Sequence, residues 1–396
     1  MIIRFSIENF GPIREKQTIS FDANKNDDLE NYYIIEPIPG FRLLKLLLLY
    51  GANASGKTTM LKSLEFIRDL VLSPNSKKNE KLNFNPFLFD NESKNKNSSF
   101  ELYFITEGKR YLYNIEFNNR YIVNEELRTF NPNKSLVFKR SSIKEKQLTE
   151  VSFGSKITIS KTSIDTLTNN TLWNNTVLSG FLKTNIDILE LKEVVNWFDD
   201  VFKPLISPKT NLESFVTNHI DSENIFKKNV IEILRKADLH IEDIRIEEKE
   251  EFVPEGVLTI LENTAVDDEH KKHINSIRQT GKISMLNLEF VHNFNNELYN
   301  LPFDEESHGT QRFYGLSGIL DLLVRTDSFI PIDELESSLH PDLYIHFLLM
   351  HLVNTSKSQL IATTHNREIL KDRNLFRDDA IWFADKQDTG NTFIYS

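Results

Sequence analysis

The sequence predicts an α/β fold, and three features of its 396 residues carry that prediction. The apolar run Leu43–Tyr50 leads directly into Gly51-Ala-Asn-Ala-Ser-Gly-Lys-Thr58 and then into a helical pattern with Leu61, Leu64, Phe66, Ile67 and Leu70 toward the core, which is a strand, a loop and a helix in succession. Residues Phe100–Phe117 alternate apolar and polar, with turns at Glu107-Gly-Lys and Asn118-Asn, as an antiparallel meander does. Beyond about residue 165 the apolar positions fall at i, i+3, i+4 spacing, in Asp187–Phe198 and again in Asn224–Leu239, so this part is expected to be helical.

The loop matches G-x-x-x-x-G-K-[ST] in the strand-loop-helix context that this pattern requires. Gly51 and Gly56 allow backbone geometry that a Cβ would resist, so the N–H groups of Asn53, Ala54, Ser55 and the residues after them can turn inward around phosphate oxygens at a helix N-terminus. Lys57 adds a mobile positive charge for the β- and γ-phosphates. The Thr58 hydroxyl, beside Thr59, is placed to ligate Mg²⁺.

A complementary stretch lies far downstream. Ser328-Phe-Ile-Pro-Ile332 reads as a short buried strand ending in Asp333-Glu334. A carboxylate at the end of a core strand is costly unless it is paired or ligates a metal, so Asp333 is expected to meet Mg²⁺, and Glu334 to orient and deprotonate a water. Pro331 departs from the ideal, because proline cannot donate to a sheet ladder. Upstream, Ser307-His-Gly-Thr-Gln311 opens an amphipathic helix carrying Phe313, Leu316, Ile319, Leu320 and Leu323. Ser307 is its expected N-cap, and Gly309 leaves the first-turn amides open to an anion.

The order of P-loop, S-x-G-x-Q signature, strand with Asp-Glu, S-x-x-H-P loop (Ser337–Pro341) and strand-end His365 resembles the ABC-type ATPase heads of the SMC, RecF and OLD group. Within that group the chain most resembles the RloA/AbiL-type ATPases of bacterial phage defence. Residues Met1–Ile13, Tyr50–Lys57, Asn85-Pro-Phe-Leu-Phe-Asp90, Glu306–Arg312 and Ile361-Ala-Thr-Thr-His365 carry the likeness, which is specific over 1–130 and 286–396.

The resemblance implies an ABC-type P-loop ATPase head with a mixed central sheet, an antiparallel β-meander subdomain and an inserted helical lobe. The implied divisions are residues 1–75 with the P-loop, a β-rich segment 76–165, a helical insertion 166–285, and a C-terminal half 286–396 with signature and acidic pair. It further implies that Lys57, Thr58 and Asp333 bind MgATP, that Glu334 is the general base, and that His365 contacts the γ-phosphate or the attacking water. Ser307, Gly309 and Gln311 would face the nucleotide of a second copy in a homodimer. The implied role is control of a separate effector, RloB-like or a nuclease, with a RecF- or SMC-like DNA clamp as the alternative.

Such heads usually carry a glutamine between the P-loop helix and the signature. Here no Gln lies between Lys57 and Gln147, so either a residue near Asn85–Asp90 replaces it or the relay is missing. Only thirty-one residues follow His365, too few for the Toprim nuclease domain of OLD proteins. A net charge of −11 disfavours extended nucleic-acid binding. Lys134, Lys139, Arg140, Lys144 and Lys146 could form a local patch, but the segment reads first as a solvated hairpin edge carrying lysines against aggregation. His270 and His273 have i, i+3 spacing for a metal but no third ligand in view. No apolar stretch is long enough to span a bilayer and no signal-peptide layout opens the chain, so a cytoplasmic location is expected. With no cysteine, disulfides and thiolate chemistry are excluded.

Overall fold

The computed structural model describes all residues except 223, 265–273, 276, 367–369 and 371–374, so His270 and His273 lie outside the described residues. The chain divides into two units. The first comprises Met1–Thr210, Leu323–Ser337 and Leu348–Ser396, and the second Asn211–Leu322 and Ser338–Phe347.

In the first unit, the N-terminal strands are β1 (Ile2–Glu8), β2 (Gln17–Ser20), the short pair β3 (Ile34–Ile35) and β4 (Leu43–Leu44), and β5 (Leu46–Gly51). The meander follows as β6 (Ser98–Thr106), β7 (Lys109–Phe117), β8 (Ile122–Phe130), β9 (Lys134–Ile143) and β10 (Leu148–Phe153). These five strands join β1 and β2 in an antiparallel sheet of order β10-β9-β8-β7-β6-β1-β2. Its apolar face meets the P-loop helix Lys57–Leu72 through Phe66, whose ring lies 5.5 Å from those of Phe10 and Phe84 and 5.4 Å from that of Phe117.

One cation of the basic segment is not on the surface. Arg140 is fully buried, donating to Ile122 O, to Trp173 O at 2.8 Å and to Thr149 Oγ1 at 3.3 Å. Burial pushes its guanidinium down to about 10, against the attraction of the nearby Glu125 carboxylate. Glu125, also buried, accepts from Val177 N at 2.8 Å and Tyr113 Oη at 2.9 Å, which ties the meander to the helix Val177–Phe181.

In the second unit, β11 (Ile241–Phe252), β12 (Lys282–Phe294) and β13 (Glu297–Pro302) form their own antiparallel sheet. From the sequence, strands near His240–Lys249 and Ser284–His292 are expected to return the chain to the central sheet. Instead β12 is paired on both edges, because Asn295 and Asn296, at φ 54° and 66°, turn the chain straight back into β13. The helices Leu212–Asp221 and Lys227–Lys236 belong to this unit. Leu212 and Val216 pack so closely on Gly315 and Gly318 of the helix His308–Arg325 that an added Cβ would come within 2.4 Å of them.

The site-bearing sheet contains β14 (Phe329–Ile332), β15 (Gln359–Thr364), β5, β16 (Ile381–Lys386) and β17 (Thr392–Tyr395), in the order β14-β15-β5-β16-β17. The first four are mutually parallel and β17 is antiparallel. Leu46–Tyr50 are buried on both faces, which is why β5 reads as a continuous apolar run with no alternation. Pro331 is explained by its place on the outer strand. Its carbonyl accepts from Ile206 N at 2.9 Å, so its nitrogen faces the flanking segment 202–206 and costs no bond to β15.

Beneath β5, Lys45 is buried with its ammonium donating to Leu352 O at 3.0 Å and Thr355 O at 2.6 Å, which caps the end of the helix Pro341–Asn354. His351 donates from Nε2 to Lys45 O at 3.1 Å, and its buried Nδ1 has no partner. Burial lowers this imidazole from 6.5 to about 4, so it is neutral in the folded chain. The unfolded chain takes up a proton below about 6.5, and stability is therefore lost as pH falls through that window toward 4. Urea denaturation at about pH 7 and about pH 5 is expected to show a loss roughly 2 kcal/mol smaller in His351→Gln than in the wild type.

Candidate nucleotide-binding site

Because β5, β14, β15 and β16 run parallel, the chain leaves all four at the same edge, where α/β sheets bind ligands. The loop after β5, Asp333-Glu334 after β14, His365 after β15 and Lys386 closing β16 meet there. A cavity of about 650 Å³ is lined by Asn53, Ala54, Ser55, Gly56, Lys57, Thr58 and Thr59, by Glu334, His365 and Lys386, and by Gly11, Pro12, Asn85, Pro86, Leu88 and Phe89.

The loop is shaped by close packing. A Cβ on Gly51 would lie 2.3 Å from Ala384 O, so only glycine lets β5 and β16 approach this closely. Gly56, at φ 103°, would carry a Cβ 2.5 Å from Thr392 Oγ1, and that hydroxyl donates to Ser55 O at 2.8 Å. The helix that follows has no side-chain N-cap, which leaves its first-turn amides facing the cavity mouth. Ser55 Oγ is buried without a partner and is a further group for a ligand to satisfy.

Lys57 is buried, and its ammonium donates to Gly51 O at 2.8 Å and Ala52 O at 2.9 Å. Burial lowers its pKa, while Asp333, Glu334 and Glu336 act in the opposite direction. Thr58 Oγ1 lies 2.9 Å from one oxygen of Asp333 and 3.1 Å from the other. Thr363 donates to Asp333 Oδ1 at 2.6 Å and accepts from Glu334 N at 2.8 Å. That contact holds Glu334 at φ 48°, a conformation that non-glycine residues seldom adopt. The backbone of His365 is fixed by a bond from its N–H to Glu336 Oε1, which leaves the imidazole exposed at the cavity.

The donor set fits a magnesium–triphosphate ligand. Open amides and an ammonium suit phosphate oxygens, and the hydroxyl–carboxylate pair of Thr58 and Asp333 is oxygen chemistry of the kind Mg²⁺ accepts.

Ser307, Gly309 and Gln311 are in the second unit, and none of them lines this cavity. Ser307 is the expected N-cap: its Oγ accepts from Thr310 N at 3.1 Å. Gln311 Nε2 donates to Phe303 O at 2.9 Å, and a Cβ on Gly309 would sit 3.2 Å from Ser338 O. Sequence reasoning missed the buttress Thr392 and the bridging role of Thr363. The second lies inside a quoted motif, whereas the first has no local signature.

The family described as "AAA domain, putative AbiEii toxin, Type IV TA system" matches residues 46–371. The chain belongs to that family. No curated protein matches it. Among solved structures, the SMC head domain from Thermotoga maritima is similar at 10% identity and a TM-score of 0.44, covering 100% of this chain and 98% of that one. An SmcHead bound to the C-winged helix domain of ScpA is similar at 12% and 0.46, covering 100% and 96%. An Smc head from Pyrococcus furiosus bound to the C-terminal domain of ScpA is similar at 11% and 0.41, covering 100% and 95%. No described helix is long and apolar enough to cross a membrane.

Thr58→Ala and Asp333→Asn are each expected to abolish the gain in ATP affinity that Mg²⁺ gives, a loss of about tenfold or more. Calorimetric titration with and without the metal checks this, and affinity in EDTA is expected to stay close to wild type.

Proposed function

We propose that this chain is an ATP-binding and hydrolysing ABC-type ATPase that closes as a homodimer around MgATP and controls a separate effector in bacterial anti-phage defence by abortive infection. The observation that carries the proposal is the contact of Thr58 with Asp333, 275 residues apart, at 2.9 Å, beside Lys57 in a cavity that Glu334 and His365 also line.

In this reading the loop amides of Asn53–Thr59 and the Lys57 ammonium hold the triphosphate, and Thr58 with Asp333 hold Mg²⁺. Mg²⁺ held there would supply positive charge to offset that of the triphosphate. Glu334, presented by its left-handed backbone and the bond to Thr363, orients a water and accepts its proton. His365 steadies that water or the γ-phosphate. Ser307, Gly309 and Gln311 of a second copy complete the site, so that hydrolysis removes the group both copies grip and loosens the pair.

The family description supports the defence role, since it names a putative AbiEii toxin of a toxin–antitoxin system. An RloB-like or nuclease partner is the effector that this reading expects. A DNA clamp of RecF or SMC type is the weaker reading. The net charge is −11, and Arg140 is withdrawn from the basic segment 134–146 that could serve it.

Lys57→Ala is expected to abolish ATP turnover, and Glu334→Gln to slow it roughly 100-fold or more while ATP-dependent dimers accumulate. Phosphate release and sedimentation velocity measure the two effects. A Glu334→Gln protein that stays monomeric in saturating ATP overturns the dimer. ATP-dependent and salt-sensitive duplex DNA binding, without a stable complex with the product of the adjacent gene, would favour the clamp.

A further inference from the structure

The second unit buries a polar pair among aromatic neighbours, next to the start of the helix His308–Arg325. Residues two apart on a strand share a face, so Phe290 and His292 of β12 both look toward the segment that leads into that helix. Phe290 meets Phe303 and Tyr314 with ring centroids 5.6 and 5.3 Å away, and Phe303 meets Tyr314 at 5.7 Å. His292 meets a carboxylate instead. Its Nε2 donates to Glu306 Oε1 at 2.5 Å, and the two side chains are only 10% and 7% exposed.

Packing alone does not ask for this pair. His292 Nδ1 is buried with no partner among the described residues, so the imidazole does not bridge two groups, and an unpaired buried nitrogen is costly. A leucine beside Phe290 would fill the place without that cost. The pair is nevertheless tightly set. β12 is bonded on both edges, with Ile241 and Tyr299 opposite His292, and the Phe294 ring lies 5.8 Å from the imidazole at an interplanar angle of 14°. Ahead of the helix, Glu306 N and Gln311 Nε2 both donate to Phe303 O, at 3.1 and 2.9 Å. The residue after Glu306 is Ser307, exposed and serving as the N-cap of the helix.

Resting on the nucleotide and dimer reading above, we infer that His292 and Glu306 are positioning residues for Ser307. Through one polar bond, β12 holds the residue just before that serine, and so fixes where Ser307 and the Gly309 amide stand when they meet the triphosphate of a second copy. A hydrogen bond can do this where apolar packing cannot, because it has direction. Misplacing such groups by about 1 Å is enough to weaken the contact about tenfold or more.

Sedimentation velocity of the full chain in saturating ATP tests this in the Glu334→Gln background, with His292→Gln and with the double variant His292→Leu/Glu306→Leu. Melting temperature and calorimetric ATP affinity are measured alongside. His292→Gln, whose amide still donates to Glu306, is expected to dimerise like its parent. The double variant is expected to melt no lower than its parent and to bind ATP equally well, yet to need about tenfold more protein to dimerise. In a Ser307→Ala background the same double change is expected to cost nothing further, because the pair acts through that residue. A double variant that dimerises like its parent overturns the proposal. A loss of equal size in the Ser307→Ala background, or one that comes with a lower melting temperature, also overturns it by making the pair merely structural. A Glu334→Gln parent that binds ATP and stays monomeric removes the dimer reading, and this inference with it.

Discussion

The Asp333 carboxylate is the fixed point of this molecule. It is a charged group, 6% exposed, at the end of a core strand, and burying it is costly unless it is hydrogen-bonded. Two hydroxyls meet that need. Thr363 belongs to the neighbouring parallel strand and Thr58 to the first turn of the P-loop helix, so a single carboxylate registers β14, β15 and the helix against one another. The same Thr363 hydroxyl accepts from Glu334 N and thereby sets the direction of the next carboxylate. A satisfied polar network of this kind specifies one arrangement more sharply than apolar packing does, because any slippage leaves a buried charge unpaired.

The surrounding fold supplies rigidity for that point. Four parallel strands bring distant chain segments to one edge, and the outer strand tolerates Pro331 because its nitrogen faces away from β15. The antiparallel sheet braces the P-loop helix from the side through the phenylalanines around Phe66. Below the sheet, Lys45 and His351 fasten the helix Pro341–Asn354 to the strand that leads into the loop.

Much of this was legible in the sequence, for reasons that differ by element. The P-loop was readable because phosphate binding needs glycines and a lysine at fixed spacing. β5 was readable because a doubly covered strand is apolar throughout. The meander was readable from its alternation. The pairing of β11 and β12 with β13 was not, because strand partners depend on which edges remain free, and periodicity does not report that. Arg140 looked like part of a basic cluster because charge in sequence carries no information about facing. In β9 its side chain points inward to Glu125, between two exposed neighbours, Lys139 and Lys144. Within the site, the chemistry-bearing residues stood out by type, whereas Thr392 is an ordinary strand residue that only three-dimensional proximity makes relevant.

Thr392 also bears on where the working part of the chain stops. The family match runs from 46 to 371, yet the hydroxyl that props Ser55 and the cavity-lining Lys386 both come after it, and Gly11 and Pro12 come before it. The terminal hairpin is thus a keystone wedged behind the loop. Trimming the protein to its recognisable motifs would leave every motif intact and take away the masonry that holds one of them open.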